Sequence, residues 1–385
     1  MKKWFIIWIV LLGWIEIADA RQVSKVRPTE KEDACKAYIV VEGATGKVLE
    51  GENTHLKWPP ASITKLMSAY VIMEKLSKGE LQLTDPITVS RDASKMGGSQ
   101  VFLKQGEAFT IEDLMKAMLV ASGNDAAYAL AEHVAGSKES FVELMNEKAK
   151  NLNMQDTEFH SVHGLPPSHD EPDDLTSCHD LTLLARELLK YPKLLEWTSI
   201  QTETFRGGTF IMTNHNKLLG KMSGVDGLKT GYYRKAGYNV VVTARRGGLR
   251  LIAVVMGGAD ARTRDRIAEE KLKAGFAAYE MANIVNKGDV IEKDIMIPNG
   301  ELRKIKGIAK ESFSYPIPRN KKGAIKKETS LPEKIEAEIK QGQPIGEMTI
   351  KLDNEIIGKV EIISPVQVPK AGYWLRIKRA VGLGA

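Results

Sequence analysis

Apolar and polar positions alternate in two short runs, Tyr38–Glu42 and Lys47–Glu52, around the turn Ala44-Thr45-Gly46, and predict a pair of strands. From Ser62 to about Lys78 the period lengthens, with Ile63, Leu66, Met67, Tyr70 and Val71 at helical spacing. Further helical patterns cover 110–120, 124–135, 138–152 and 180–189. Two apolar runs, 238–245 and 249–256, are joined by Gly247-Gly248, a hairpin signal, and a last helix is expected over about 264–284. Strands at both ends with helices between them imply an antiparallel sheet closed by its first and last segments, with helices packed against it: an α+β domain.

From residue 288 the pattern breaks into short runs such as Met348–Leu352 and Ile356–Ile362, separated by Asp353-Asn354, which predicts a small antiparallel β domain over 288–365. Its basic stretches, 303–310 and 319–327, read as solvated surface. The segment 366–385 holds Lys370, Arg376, Lys378 and Arg379 and no acidic residue, interleaved with Tyr373, Trp374, Leu375, Ile377 and Val381. After Pro369 this predicts a short interfacial helix on an anionic membrane surface, with a tail packed on the domain as the alternative. At the other end Met1-Lys2-Lys3, the apolar run 4–15 and Ala18-Asp19-Ala20 have the three parts of a secretory signal peptide, residues 1–20. Glu16 and Asp19 leave an uncleaved anchor as the alternative. Either way the chain from about Arg21 is expected to be exported, to the periplasm or the outer face of the cytoplasmic membrane.

Composition sharpens this picture in three places. At 385 residues there is room for two domains and a large core, and no internal window of eighteen apolar residues exists, so a polytopic membrane protein is excluded. Lys+Arg 55 against Asp+Glu 49 leaves +6, and export removes nucleic acid as a partner for that excess. Two cysteines, Cys35 and Cys178, cannot make a disulfide scaffold; they either pair or remain separate buried thiols.

Three short motifs can carry chemistry. Pro59-Pro60 stops any earlier helix, so Ser62 and Lys65 fall in a first turn, three residues apart on one face. A serine hydroxyl becomes a nucleophile when a base takes its proton, and a lysine serves as that base when burial or a second cation lowers its pKa. Ser122-Gly123-Asn124 reads either as a helix break with Asn124 as cap, or as a proton relay at Ser122 with Asn124 holding a substrate amide. Lys229-Thr230-Gly231 reads either as an edge strand entering a turn, or as a cation, a hydroxyl and a glycine alongside which a substrate backbone can lie.

The three motifs stand in order, 60 and then 107 residues apart, in an exported chain. Together with Pro60-Ala61-Ser62-Ile63-Thr64-Lys65-Leu66, Leu103-Lys104-Gln105-Gly106-Glu107, His163-Gly164-Leu165, Val225-Asp226-Gly227-Leu228-Lys229-Thr230-Gly231 and Ala236-Gly237-Tyr238-Asn239, they resemble the serine penicillin-recognising enzymes. Within that group the chain looks like the low-molecular-mass penicillin-binding proteins, the serine-type D-alanyl-D-alanine carboxypeptidases. The resemblance covers most of residues 35–370. It implies a β-lactamase/transpeptidase-like catalytic domain over 21–287, needing no metal and no cofactor, followed by the small β domain and basic tail. The implied substrate is a peptidoglycan stem peptide ending in D-Ala-D-Ala, with β-lactam antibiotics as covalent inhibitors. The implied roles are Ser62 as nucleophile, Lys65 as base and Ser122 as proton carrier. Lys229 and Thr230 would hold the terminal carboxylate, with Arg250 as a second cation, and the backbone N–H groups of Ser62 and Tyr232 would form an oxyanion hole.

The chain departs from the family wording at Tyr232-Tyr233-Arg234-Lys235, bulkier and more basic than expected, which implies a narrower or recharged cleft, and at Cys178 in Thr176-Ser177-Cys178-His179-Asp180. Rival readings are a metal site from His160, His163, His169 and His179 with Asp170, Asp173 and Asp174, whose spacings match no standard zinc pattern; a β-lactamase, whose Glu-x-x-x-Asn match at Glu147 and Asn151 falls in an expected amphipathic helix; and a sensor that acylates without turnover.

Overall fold

The structure, a computed structural model, describes residues 1, 34–166 and 172–380; the bulk of the expected signal peptide, His169, Asp170 and Val381 lie outside the described residues. Along the chain β1 (Ala37–Glu42) and β2 (Val48–Glu52) lead through a short 3-10 turn, Ala61–Thr64, into α1 (Lys65–Ser77). The short strands β3 (Pro86–Thr88) and β4 (Ala108–Thr110) precede α2 (Ile111–Leu119), α3 (Asn124–Ala135), α4 (Lys138–Asn151), α5 (Cys178–Leu188) and α6 (Pro192–Thr198). A hairpin, β5 (Thr202–Phe205) and β6 (Phe210–Thr213), is followed by β7 (Val225–Tyr233), β8 (Gly237–Arg246), β9 (Leu249–Gly258) and α7 (Ala261–Ala278).

The first and last strands close one antiparallel sheet in the order β2-β1-β9-β8-β7, as the sequence pattern implies. Strands β8 and β9 are buried along most of their length because both faces of the sheet are covered. Val241, Ile252, Val254 and Met256 point into a core shared with α1–α6. The alternate residues Val240, Val242, Ala253 and Val255 pack on Ile267, Ala268 and Leu272 of α7. The period of two thus sorts one strand's residues between two helical layers. Helix α1 is apolar nearly all round and sits at the centre of the helical layer, where Leu66, Met67, Ala69 and Ile72 are buried.

Helix α7 ends at Ala278, six residues short of the expected Ile284. Tyr279–Val285 is instead β10, paired antiparallel with the strand Phe313–Pro318 from Tyr279↔Pro318 to Val285↔Phe313. Periodicity there cannot tell helix from strand, and the tertiary pairing decides. The second domain contains β11 (Val290–Met296), β12 (Lys304–Ala309), β13 (Phe313–Pro318), β14 (Ile325–Ser330), β15 (Pro344–Leu352) and β16 (Glu355–Ile363). Five of these form a sheet in the order β11-β12-β16-β15-β14 around its own core, including Ile295, Ile339, Ile350, Val360 and Ile362. The tail forms α8 (Tyr373–Ala380), in which Tyr373 and Trp374 are exposed, while Arg379 donates to the carbonyls of Gly300 and Glu301 at 2.6 and 2.8 Å. No helix among the described residues is long and apolar enough to cross a membrane.

Candidate active site

Ser62 lies in the 3-10 turn that precedes α1, not in the helix itself, and Lys65 is the first residue of α1. The turn is tight: Ala61 has φ +51°, in the left-handed region. Because α1 is buried all round, Lys65 is inaccessible to solvent. Its Nζ is 3.0 Å from Ser62 Oγ, and it donates to Asn124 Oδ1 at 2.6 Å and to the His163 carbonyl at 2.7 Å. Burial first, and the charge of Lys229 second, hold the Lys65 amine well below its ordinary pKa. His163 is pushed down to about 3 by burial and by Lys65 and Lys138, so its ring is neutral, and its Nδ1 accepts the Leu165 N–H.

The other motifs converge on this turn. Gly231 of β7 lies against it: a Cβ there would sit 2.4 Å from the Pro60 carbonyl oxygen and 3.0 Å from the Ser62 nitrogen. The space that glycine leaves is therefore filled by the nucleophile's own turn, and Gly231 itself lines the cleft. Lys229 is buried, donates to the Thr230 carbonyl at 3.0 Å, and is held down to about 7 by burial and by Arg264. Thr230 faces the cleft. Ser122 also faces it and takes the left-handed conformation itself, φ +61°, leaving Gly123 at φ −56° as the residue that caps α3. Asn124, the first residue of α3, has both ends of its side chain engaged: Oδ1 holds Lys65 and Nδ2 donates to the Gly97 carbonyl at 2.7 Å. Its amide positions the lysine, and one N–H and one oxygen lone pair remain for the substrate-holding role expected of it.

Ser62, Ser122, Thr230, Gly231 and Tyr232 line one open cleft of about 340 Å³. Arg264 of α7 is buried at its wall, and Ser99, His215 and Lys217 complete it. Arg250 is not there. Its guanidinium is bidentate on Asp226, at 2.9 and 2.7 Å, and donates to Thr243 Oγ1. The register explains the miss: Lys229 pairs with Val241 and Val241 with Val254, so Arg250 lies four residues, roughly 13 Å, further down β9. The cations that line the cleft are Lys217 and Arg264; Arg264, held by Asp265 at 2.7 Å, is announced by no local motif and arrives because α7 follows β9 back across the sheet.

Of the bulky run after Gly231, Tyr232 is 54% exposed and stacks on Tyr238 at 4.1 Å, forming one rim. Tyr233 and Lys235 turn away to bind Asp173. The histidine-rich segment is dispersed. Asp174 accepts from Thr64, His160 and Ser161, whereas His179 stacks on His55 at 4.4 Å. Among the described residues no group of three or more potential ligands converges to hold a metal. Cys35 and Cys178 are both free thiols. Glu147 and Asn151 meet only each other, on the exposed side of α4.

An active-site cleft of this kind, between an all-helical layer and the edge of a five-stranded antiparallel sheet, with a separate β domain behind it, is the architecture of the penicillin-binding proteins. The family model for D-alanyl-D-alanine carboxypeptidase matches residues 24–260, and that for the penicillin-binding protein 5 C-terminal domain matches residues 279–370. The chain belongs to the D-alanyl-D-alanine carboxypeptidase family and is a serine hydrolase of that activity. The D-alanyl-D-alanine carboxypeptidase DacF of Bacillus subtilis is 35% identical over 98% of this chain and 96% of its own length. Penicillin-binding protein 5 of Haemophilus influenzae superposes with a TM-score of 0.75 at 29% identity, over 89% of this chain and 100% of that one. Penicillin-binding protein D2 of Listeria monocytogenes in its ampicillin-bound form has a TM-score of 0.58 at 32% identity, over 65% of this chain and 100% of that one.

Proposed function

We propose that Ser62 Oγ attacks the carbonyl carbon of the penultimate D-alanine in a stem peptide ending in D-Ala-D-Ala, and that Lys65 takes its proton. One observation carries this reading. A neutral lysine amine has two N–H bonds and one lone pair; Asn124 Oδ1 and the His163 carbonyl accept the first two, which leaves the lone pair for the Ser62 hydroxyl 3.0 Å away. The amide C–N bond then breaks, Ser122 delivers the proton to the departing amine, and D-alanine leaves. Water hydrolyses the resulting ester and restores the serine.

The developing oxyanion would accept from the Ser62 and Tyr232 N–H groups, a reading supported by the close passage of Gly231 against the Ser62 nitrogen. Lys229, Thr230 and Arg264 would hold the terminal carboxylate, with Arg264 in the place expected for Arg250. A β-lactam would acylate the same serine. The alternative of a β-lactamase lacks support, since Glu147 and Asn151 sit on a solvated helix face. The test is release of D-alanine from a D-Ala-D-Ala peptide together with covalent penicillin labelling: Ser62→Ala abolishes both, and a variant that still cleaves overturns the assignment.

The chain reads further as an exported enzyme held at the outer face of the cytoplasmic membrane by its tail, with residues 288–365 as spacer. The outward Tyr373 and Trp374 beside Arg376 and Lys378 support it. Truncation after Pro365 then moves the protein from the membrane to the soluble fraction; unchanged membrane retention overturns this.

A further inference from the structure

Phe102 combines two unusual features. Its φ is +59°, in a region bulky side chains rarely adopt, and its ring is 61% exposed between the buried Val101 and Leu103. The conformation is held from both sides. The buried Asp125 carboxylate accepts the N–H groups of Val101 and Leu103 at about 3 Å, and the Arg206 guanidinium donates to the carbonyls of Val101 and Phe102, each at 2.7 Å. Arg206 is itself fixed by Glu107 at 2.6 Å. A strained backbone of this kind has a conformational cost, and here it puts no ring into the core. The Phe102 ring packs edge-on with Phe210, centroids 6.0 Å apart, and Ile211 beside Phe210 on β6 is exposed as well.

This platform lies close along the chain to the cleft. Ser99, three residues before Phe102, lines it, and the Ser99 carbonyl accepts the Asn124 N–H at 2.8 Å. Three residues span at most about 10 Å. A substrate residue just before the two D-alanines has its Cα about 3.8 Å from the next, and a side chain of four methylenes covers most of the remaining distance. A neutral aromatic ring suits those methylenes, whose polar tip can stay in water.

We infer that Phe102, backed by Phe210, is a specificity-determining residue that packs on the methylene-rich side chain of the stem residue immediately preceding the two D-alanines. The inference rests on Ser62 as the nucleophile that fixes where the D-alanines lie. Its test compares D-alanine release from Nα,Nε-diacetyl-Lys-D-Ala-D-Ala and from Nα-acetyl-Gly-D-Ala-D-Ala by the full chain. Phe102→Gly removes the ring and accepts the positive φ without strain, so the loop is kept. It is expected to lower kcat/KM for the lysyl peptide about tenfold, the ratio that follows from losing roughly 55 Å² of apolar contact. Release from the glycyl peptide is expected to change less than twofold, and Phe210→Ala is expected to give a smaller loss with the same selectivity. Equal losses on both peptides, or no loss on either, would overturn the inference. Wild-type protein that releases D-alanine from neither peptide would instead overturn the Ser62 chemistry beneath it.

Discussion

Replacing Lys229 by methionine should make the protein more stable and inactive at once. Lys229 is buried, and its amine is held down from 10.5 to about 7. Below pH 7 the folded and unfolded chains both carry the proton, so the folded state bears the full penalty of a buried ammonium. At 1.36 kcal/mol per pH unit, the distance from 10.5 to about 7 makes that penalty about 5 kcal/mol. Between pH 7 and 10.5 the folded state gives up its proton first, so stability rises with pH, and above 10.5 the penalty is gone. Methionine fills much the same volume but loses the bond to the Thr230 carbonyl, worth about 1 kcal/mol. The expected gain is therefore about 3–4 kcal/mol at pH 6, shrinking to nothing or slightly below by pH 10. Relief of the repulsion on Lys65 adds to the gain in the acid range. Urea unfolding of the full chain at pH 6, 8 and 9.5 measures it, alongside D-alanine release. A Met variant no more stable than wild type at pH 6, or a gain independent of pH, would refute the reasoning.

Other substitutions separate positioning from binding. Asn124→Ala removes one of the two acceptors that orient the Lys65 amine; kcat and the rate of penicillin labelling should fall together, by about 10²-fold, with KM nearly unchanged. Arg264→Ala should raise KM for carboxylate-ended peptides about 10–100-fold, the range for a lost charged hydrogen bond, whereas Arg250→Ala, which breaks the pair with Asp226 and the bond to Thr243 away from the cleft, should leave KM as it is in steady-state assays. Gly164→Ala places a Cβ 2.0 Å from the Ala61 carbonyl oxygen at φ +76°; thermal melts should show at least about 2 kcal/mol of destabilisation, and penicillin labelling should be lost because the Ser62 turn is displaced.

What the sequence reveals about the site is what local patterns can encode. Ser62 and Lys65 share a turn by spacing alone, and the strand carrying Lys229 is legible from its neighbours. The sheet closed by β1 and β9 follows from where the alternating runs fall. Arg264 is not legible, because its place depends on the register of β8 on β9 and on the return of α7; by sequence distance alone Arg250, on a strand, is the more attractive cation. The uses of Gly231 and Asn124 were hidden for a related reason. Each spends its freedom on another segment of the protein, the Pro60 carbonyl and the Lys65 amine, and such partners appear only when distant segments meet. The end of α7 was misplaced because Tyr279–Val285 suits either state until β13 pairs with it.

The strained positions themselves locate function. Among the described residues seven other than glycine have positive φ. Asn53, Asn153 and Asp353 are of the types that tolerate this conformation through local hydrogen bonds. Of the other four, Ala61, Phe102, Ser122 and Arg206, the Arg206 side chain bonds to the carbonyls of Val101 and Phe102 and so ties two of these positions together. Ala61 sets the turn of Ser62, Ser122 faces the same cleft, and Arg206 clamps the loop of Phe102, three residues after the cleft-lining Ser99. Two buried amines stand at the same place. A sheet covered on both faces supplies the rigidity that holds these unfavourable arrangements in register. The concentration of strain and buried charge at one edge of an otherwise well-packed domain is what selection for chemistry, against selection for stability, should leave behind.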